Sequence, residues 1–204
     1  MSLLQIQFFL IRRIKDKMLN YTSPIKENKN FPDLVIKEIG PIMKLNLRGK
    51  KREFLSTVGK TLNMILPIEA NTSSSSEKLT AIWLSPDEWM IFSNNITEKD
   101  NNNYEIEEIL HNNIYKKNFG SITNVTDQFV MINLNGTKIF DLFSFGSPFD
   151  FSQFKKKKGS TAQTILNHID VIIHHKDSNN INLFVRRSFS EHLWSWIKDC
   201  ASRL

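Results

Sequence analysis

Apolar and polar positions alternate along Met43-Lys44-Leu45-Asn46-Leu47-Arg48 up to Gly49, the period-two pattern of a half-buried strand. The period then changes. Phe54, Leu55, Val58 and Leu62 fall at helical spacing, which predicts a helix over 50–62 that stops before Leu66-Pro67. Two apolar runs follow, Ala81 to Leu84 and Trp89 to Phe92, separated by Ser85-Pro86-Asp87-Glu88. Pro86 presets the backbone for a turn, and Ser85 and Asp87 can bond the local backbone. The prediction is a β-hairpin whose tryptophans, Trp83 and Trp89, sit in the core. Thr97 with Asp100 offers an N-cap for an amphipathic helix through Lys117, with Ile106, Ile109, Leu110 and Ile114 on one stripe.

The second half repeats this order. Phe129 to Leu134 is a strand, Asn135-Gly136 a turn, and Thr137 caps a short helix carrying Ile139, Phe140, Leu142 and Phe143. Residues 162–166, 170–174 and 181–185 predict an antiparallel meander. Ser188 and Glu191 form a capping box for a last helix with Phe189, Leu193, Trp194, Ile197 and Cys200 on its apolar face. The serine run of residues 71–78 reads as a flexible polar loop, and residues 1–40 as an irregular N-terminal extension. The domain is expected over 41–204, in halves of about 41–120 and 121–204.

Composition narrows the function. With 40% hydrophobic and 24% charged residues the chain is globular, and its single Cys200 excludes an internal disulfide and any cysteine-built metal site, which suits the cytoplasm. The apolar run Leu3 to Ile11 is too short to span a membrane, and Arg12-Arg13 follow it where a signal peptide needs them in front. Residues 1–17 therefore read as an extension, with Met18 as a candidate initiator. The net charge of +6 raises nucleic acid as a partner, but the lysines are scattered apart from Lys155-Lys156-Lys157-Lys158 and no nucleic-acid-binding motif accompanies them. No membrane and no nucleic acid are expected.

The chain shows no dinucleotide fingerprint, P-loop, nucleophile elbow or Cys/His metal spacing, so no catalytic, cofactor-binding or metal residue is assigned. His174 and His175 are adjacent on a strand and so point to opposite faces, one expected in the core and one in solvent. Asp87-Glu88 is a carboxylate pair better explained by turn chemistry. Phe149, Phe151 and Phe154 in a loop ending in four lysines, together with Trp196 on the outward side of the last helix, are partner-contact candidates. The alternative is that they close the protein's own core.

Several of these stretches carry a resemblance in the same order. The run Trp83-Leu84-Ser85-Pro86-Asp87-Glu88-Trp89 resembles the W-L-G-P-D-E-W signature of the gamma subunit of heterotetrameric sarcosine oxidase, with Ser85 in place of glycine. Leu45 to Gly49 resembles its L-R-G strand, Leu66-Pro67 its L-P, and Val125-Thr126-Asp127-Gln128 its V-T/S-D segment. Leu134-Asn135-Gly136 is similar to the L-x-G turn of the wider glycine-cleavage T-protein superfamily. Ser147-Pro148-Phe149-Asp150 resembles its C-P-L-D, Ala162-Gln163-Thr164 its Q/R-T strand, and Arg187-Ser188-Phe189 with Leu193-Trp194-Ser195-Trp196 its closing helix.

The resemblance runs from about Leu45 to Ala201. It implies an α+β fold of two βαβ-like halves, similar to the aminomethyltransferase folate-binding domain, with mixed or antiparallel sheets and helices on one face. It also implies a structural subunit beside alpha, beta and delta subunits that hold FAD, FMN, NAD, tetrahydrofolate and zinc, with no cofactor on this chain. The implied reaction converts sarcosine, tetrahydrofolate and oxygen to glycine, methylenetetrahydrofolate and hydrogen peroxide. Other readings are a subunit of an N-methylglutamate dehydrogenase, a free-standing folate-binding T-protein-like factor, or a basic nucleic-acid-associated protein.

Overall fold

The computed structural model describes residues 22–25, 27–94 and 102–204, for 102–105 the backbone alone. The 1–17 segment, Met18, and the Thr97 and Asp100 cap lie outside the described residues. Strands β1 (Lys29–Phe31), β2 (Leu34–Ile39) and β3 (Lys44–Arg48) lead into helix α1 (Arg52–Leu62). Next come β4 (Ser73–Ser75), β5 (Leu79–Ser85), β6 (Glu88–Ser93), α2 (Asn102–Leu110, continued by a π turn His111–Tyr115) and β7 (Ser121–Asn124). The second half holds β8 (Phe129–Gly136), α3 (Ile139–Ser144), α4 (Phe151–Phe154), β9 (Thr161–Leu166), β10 (Ile169–Asp177), β11 (Asn180–Arg186) and α5 (Ser190–Ala201).

One five-stranded sheet runs β4-β5-β6-β3-β7, and a six-stranded sheet runs β9-β10-β11-β8-β2-β1. All the pairings are antiparallel. Exchanging β8 for β3, β11 for β6, β10 for β5 and β9 for β4 turns one order into the other, and β2 then occupies the place of β7. In the first half α2 links β6 to β7 across β3, a split βαβ; in the second half the matching place is filled by β2 from before β8, and α5 follows β11 without leading to a further strand. Helices α1 and α2 cover the outer face of the first sheet through Leu45, Leu47, Phe54, Val58, Trp89 and Leu110. Helices α3 to α5 cover the outer face of the second through Ile132, Leu134, Phe143, Leu183, Leu193 and Trp194.

The inner faces meet in a third cluster, where Ile82, Met90 and Phe92 of the first sheet pack on Met131 and Phe184 of the second. The Phe92 and Phe184 rings lie 5.0 Å apart. The molecule is therefore layered helix, sheet, sheet, helix, an α+β fold with helices on one face of each sheet.

Residues 29–39 are not irregular. Asp33, at φ 57°, reverses the chain between β1 and β2, and Leu34 and Ile36 enter the core against β8. Leu34 stands opposite Gly136, where φ is 146° and an added Cβ would lie 2.0 Å from the Asp33 carbonyl oxygen. The sheet boundary falls after Asn124, since β7 pairs with β3, and β2 belongs with the second half.

The serine run is also ordered. Residues 73–75 pair with β5 as an edge strand, and their hydroxyls are bonded, Ser75 to Thr80 at 3.0 Å for example. The last helix starts at Ser190 and follows a 3₁₀ turn, Arg187–Phe189. The Ser188 side chain makes no capping bond there. Instead the Ser190 hydroxyl donates to the Arg187 carbonyl at 2.8 Å, and Phe189 is left 49% exposed. Thr137 likewise does not cap α3, whose N-cap position is Lys138.

Candidate functional site

The hairpin forms as its turn residues dictate, with Trp83 opposite Trp89. The Ser85 hydroxyl donates to the Asp87 carboxylate at 2.9 Å, and this bond, ahead of the nearby Lys50 and Arg48, holds that carboxyl below its usual range. Glu88 accepts from Asn46 at 2.7 Å and lies 3.8 Å from Arg48. The two carboxylates are thus committed to separate partners. Trp89 is buried, its indole N–H donating to the Pro67 carbonyl at 2.7 Å and its ring 5.8 Å from Phe54. The tryptophan signature therefore ties the hairpin to the loop after α1.

The four partner-contact candidates divide. Residues 151–154 form a single helical turn, not a loop, because the Asp150 carboxylate accepts from the Ser152 backbone N–H at 2.8 Å. That turn carries Phe151 and Phe154 inward, 7% and 6% exposed. They join Phe140 and Phe143, with the Phe143 and Phe151 rings 5.4 Å apart. These two are core residues and leave a partner almost no surface. Phe149 is 37% exposed. Trp194 is buried, and Trp196, two positions on, lies half-buried with its ring over Gly146, where a Cβ would meet it at 2.5 Å. The exposed Phe145 and Phe149 therefore lie in the α3–α4 connection, and Trp196 packs on that connection at Gly146.

Both histidines are buried, contrary to the expectation of one in solvent, because helices cover one face of β10 and the other sheet covers the opposite face. His175 stacks on Phe154 at 5.5 Å and its Nδ1 lies 3.0 Å from the Lys157 carbonyl, so Nδ1–H is the donor. His174 faces the first sheet, with Nδ1 3.5 Å from the Asn182 amide nitrogen and Nε2 3.1 Å from the Ser73 hydroxyl. The set has the composition of a nucleophile, base and orienter, but its polarity is wrong for that chemistry. Asn182 donates to Nδ1, so Nε2 carries the proton and donates to Ser73, whose hydroxyl donates to the Gly159 carbonyl at 2.8 Å. It is a polar chain that staples one sheet to the other.

A cleft of about 690 Å³ lies between residues 22–25 with Glu27 on one side and α5 on the other, lined by Arg187, Glu191, Trp194 and Lys198 among others. Glu27 accepts from Lys198 at 2.6 Å and from Trp194 at 3.2 Å, and with Lys29 these bonds lower its pKa to about 2. Two carboxylates, Glu27 and Glu191, face Arg187 and Lys198 in the lining. This balanced set offers no surplus positive charge and no glycine-rich turn for a dinucleotide pyrophosphate. Among the described residues no group of His, Cys, Asp and Glu could hold a metal ion, and no helix is long and apolar enough to cross a membrane.

A model of the family described as sarcosine oxidase, gamma subunit, matches residues 49–203. The chain belongs to this gamma-subunit family. Its fold is similar to a chain of the heterotetrameric sarcosine oxidase from Corynebacterium sp. U-96, solved in complex with pyrrole 2-carboxylate. That match has 17% identity and a TM-score of 0.74, covering 83% of this chain and 84% of that one. It is also similar to the glycine cleavage system aminomethyltransferase T from Bartonella henselae, at 13% identity and a TM-score of 0.55 over 81% of this chain. The gamma-family chain spans 45% of that aminomethyltransferase. At these identities the likeness is one of fold. A search of the curated proteins finds no match.

Alternation on β3 assigns Lys44 to a polar face, yet in this gamma-family chain it is 3% exposed between the sheets. Its ammonium donates to the carbonyls of Ile42 at 3.2 Å and Thr126 at 3.3 Å, and burial lowers its pKa to about 8 despite Asp127 and Glu38. The backbone of Val125 and the Thr126 side chain bond the Lys44 backbone, which explains why the Val125-Thr126-Asp127 segment matters structurally. Replacing Lys44 with methionine is expected to raise stability at pH 7 by about 1–2 kcal/mol. Relief of the burial penalty exceeds the cost of leaving two carbonyls unpaired. The cost of the charge is present below pH 8 and is relieved as pH rises towards 10.5, so wild-type stability should climb over that window and the variant's should not. Urea unfolding at pH 7 and pH 10 checks this, and a variant less stable at pH 7 refutes it.

Proposed function

We propose that this chain is the non-catalytic gamma subunit of a heterotetrameric sarcosine oxidase-type flavoenzyme in the cytoplasm. The observation that carries the reading is the family match over residues 49–203. Its polar groups support it. The carboxylate pair, the serine–histidine chain and the buried lysine all bond inward to the chain's own backbone or side chains. The alpha, beta and delta subunits hold FAD, FMN, NAD, tetrahydrofolate and zinc, and the assembled enzyme carries the chemistry from sarcosine to glycine, methylenetetrahydrofolate and hydrogen peroxide. This chain acts through contacts, with Phe149 and Trp196 among its partner-facing residues.

Co-expression with the flavoprotein subunits tests the reading. The expected result is a stable four-subunit complex that releases peroxide from sarcosine, with lower turnover of dimethylglycine and N-methylglutamate. The purified chain alone should show neither flavin absorbance nor oxidase activity. Turnover of N-methylglutamate only would move the chain to the related dehydrogenase, and a folded chain that never co-purifies with a flavoprotein would refute the subunit role.

A further inference from the structure

Ile65 and Ile68 are the two most exposed large apolar side chains among the described residues, 85% and 81% exposed. Both belong to the connection between α1 and β4, and that connection is held in place. Met64 and Leu66 are buried beside them, the Met64 N–H donates to the Gly59 carbonyl at 3.2 Å, and Pro67 accepts the Trp89 indole N–H at 2.7 Å. The Ser74 hydroxyl donates to the Ile65 carbonyl. Scattered surface isoleucines are ordinary, but two displayed on a pinned loop keep their apolar area in water at a standing cost. A rigid presenter also loses little entropy when a partner covers it.

The same connection meets the lysine turn of the other half. Glu69, next to Ile68, lies 3.4 Å from Lys157, the Thr161 N–H donates to the Asn71 carbonyl at 2.9 Å, and Thr72 bridges to Ser160. Lys155, Lys156, Lys157, Lys158 and Lys176 are all exposed there, against Glu69 and Asp177 as the acidic partners of Lys157 and Lys158. Asp150 lies near Lys155 and Lys156 as well, and the local balance of five lysines against three carboxylates stays positive.

We propose that the Ile65–Ile68 loop and the 155–158 lysine turn form one docking surface, an apolar double knob with a basic rim, that seats in an acid-rimmed apolar socket on a flavoprotein subunit of the oxidase. The proposal rests on the gamma-subunit reading. Desolvated isoleucines supply the affinity, and the lysines steer the encounter and set the register. A protein socket suits the surface better than anionic lipid, because the Glu69 carboxylate stands between the knobs and the lysines and would face lipid phosphates.

The test measures affinity of the full chain for the co-expressed flavoprotein subunits, beside thermal melting of the isolated chain. The double variant Ile65→Ser/Ile68→Ser should melt with the wild type, since these side chains are in water, but bind at least about 100-fold more weakly. Lys155→Glu/Lys156→Glu should slow association and reduce its dependence on salt while changing dissociation little. If the wild type assembles and the isoleucine variant assembles equally well, the surface is wrong and the subunit reading stands. Failure of the wild type to assemble overturns both. Wild-type binding to phosphatidylserine–phosphatidylcholine vesicles, lost in the isoleucine variant, replaces the protein socket with a lipid surface.

Discussion

Truncating Phe154 to alanine should cost this protein about 3–5 kcal/mol, and Phe151→Ala a similar amount, the size expected for emptying an aromatic site in a packed core. Both rings lie against Phe140, at 6.3 and 5.8 Å, and Phe154 also carries His175. Neither truncation should impair assembly of whatever fraction remains folded. Phe149→Ala should behave in the opposite way, lowering stability by less than ~1 kcal/mol because its ring already keeps a wet face. Chemical unfolding of the three variants separates core from surface along six residues of chain. A Phe154→Ala variant as stable as the wild type would return this segment to the partner surface.

Acid should release the staple between the sheets. Burial, with the charges of His175 and Lys176 behind it, lowers the pKa of His174 from 6.5 to about 4. The unfolded chain takes up a proton as pH falls through 6.5, and the folded chain does not until about 4. The stability this neutral imidazole contributes is therefore complete above pH 6.5 and is lost by pH 4, a decline of roughly 3 kcal/mol. Other groups titrate in the same range, so the informative quantity is a difference. His174→Gln should be less stable than wild type at pH 7, having lost the bond to Ser73, and should show a shallower fall between pH 6.5 and pH 4. Parallel curves for the two proteins would mean that His174 takes its proton while folded at an ordinary pH.

The elements legible in the sequence are those set by near neighbours. Pro86 and the flanking apolar runs announce the hairpin, and the spacing of Phe54 and Val58 announces α1. The meander of β9, β10 and β11 is equally local. What escaped depends on distant partners. Residues 73–75 have no apolar pattern, and only pairing with β5 makes them a strand. Residues 34–39 alternate weakly, and their partner in β8 lies about a hundred positions later. His174 and Lys44 sit on nominally polar faces that became interior once the sheets stacked, a fact of the third cluster and of no single strand.

The site candidates divide for the same reason. Phe151 and Phe154 have the composition of an interface, and the Asp150 cap that turns them inward is recognisable only once the helical turn exists. The exposure of Ile65 and Ile68 follows from which of their neighbours the hairpin tryptophan pins, and nothing in their own identity reveals it.

The position of β2 also sets an order of events during synthesis. The strands of the five-stranded sheet all lie between residues 73 and 124 apart from β3 at 44–48, so that sheet can close while the ribosome is still making the second half. β2 leaves the ribosome before any of them, yet its bonding edge stays vacant until Phe129–Gly136 arrives. Lys37 on β2 and the short β1 hairpin along its far side are features that discourage a bare edge from capturing a neighbouring nascent chain during that wait. A fragment ending at Asn124 should then fold its own sheet while carrying β1 and β2 as an unsatisfied hairpin, and polysomes making this protein should be most prone to strand exchange between residues 40 and 129.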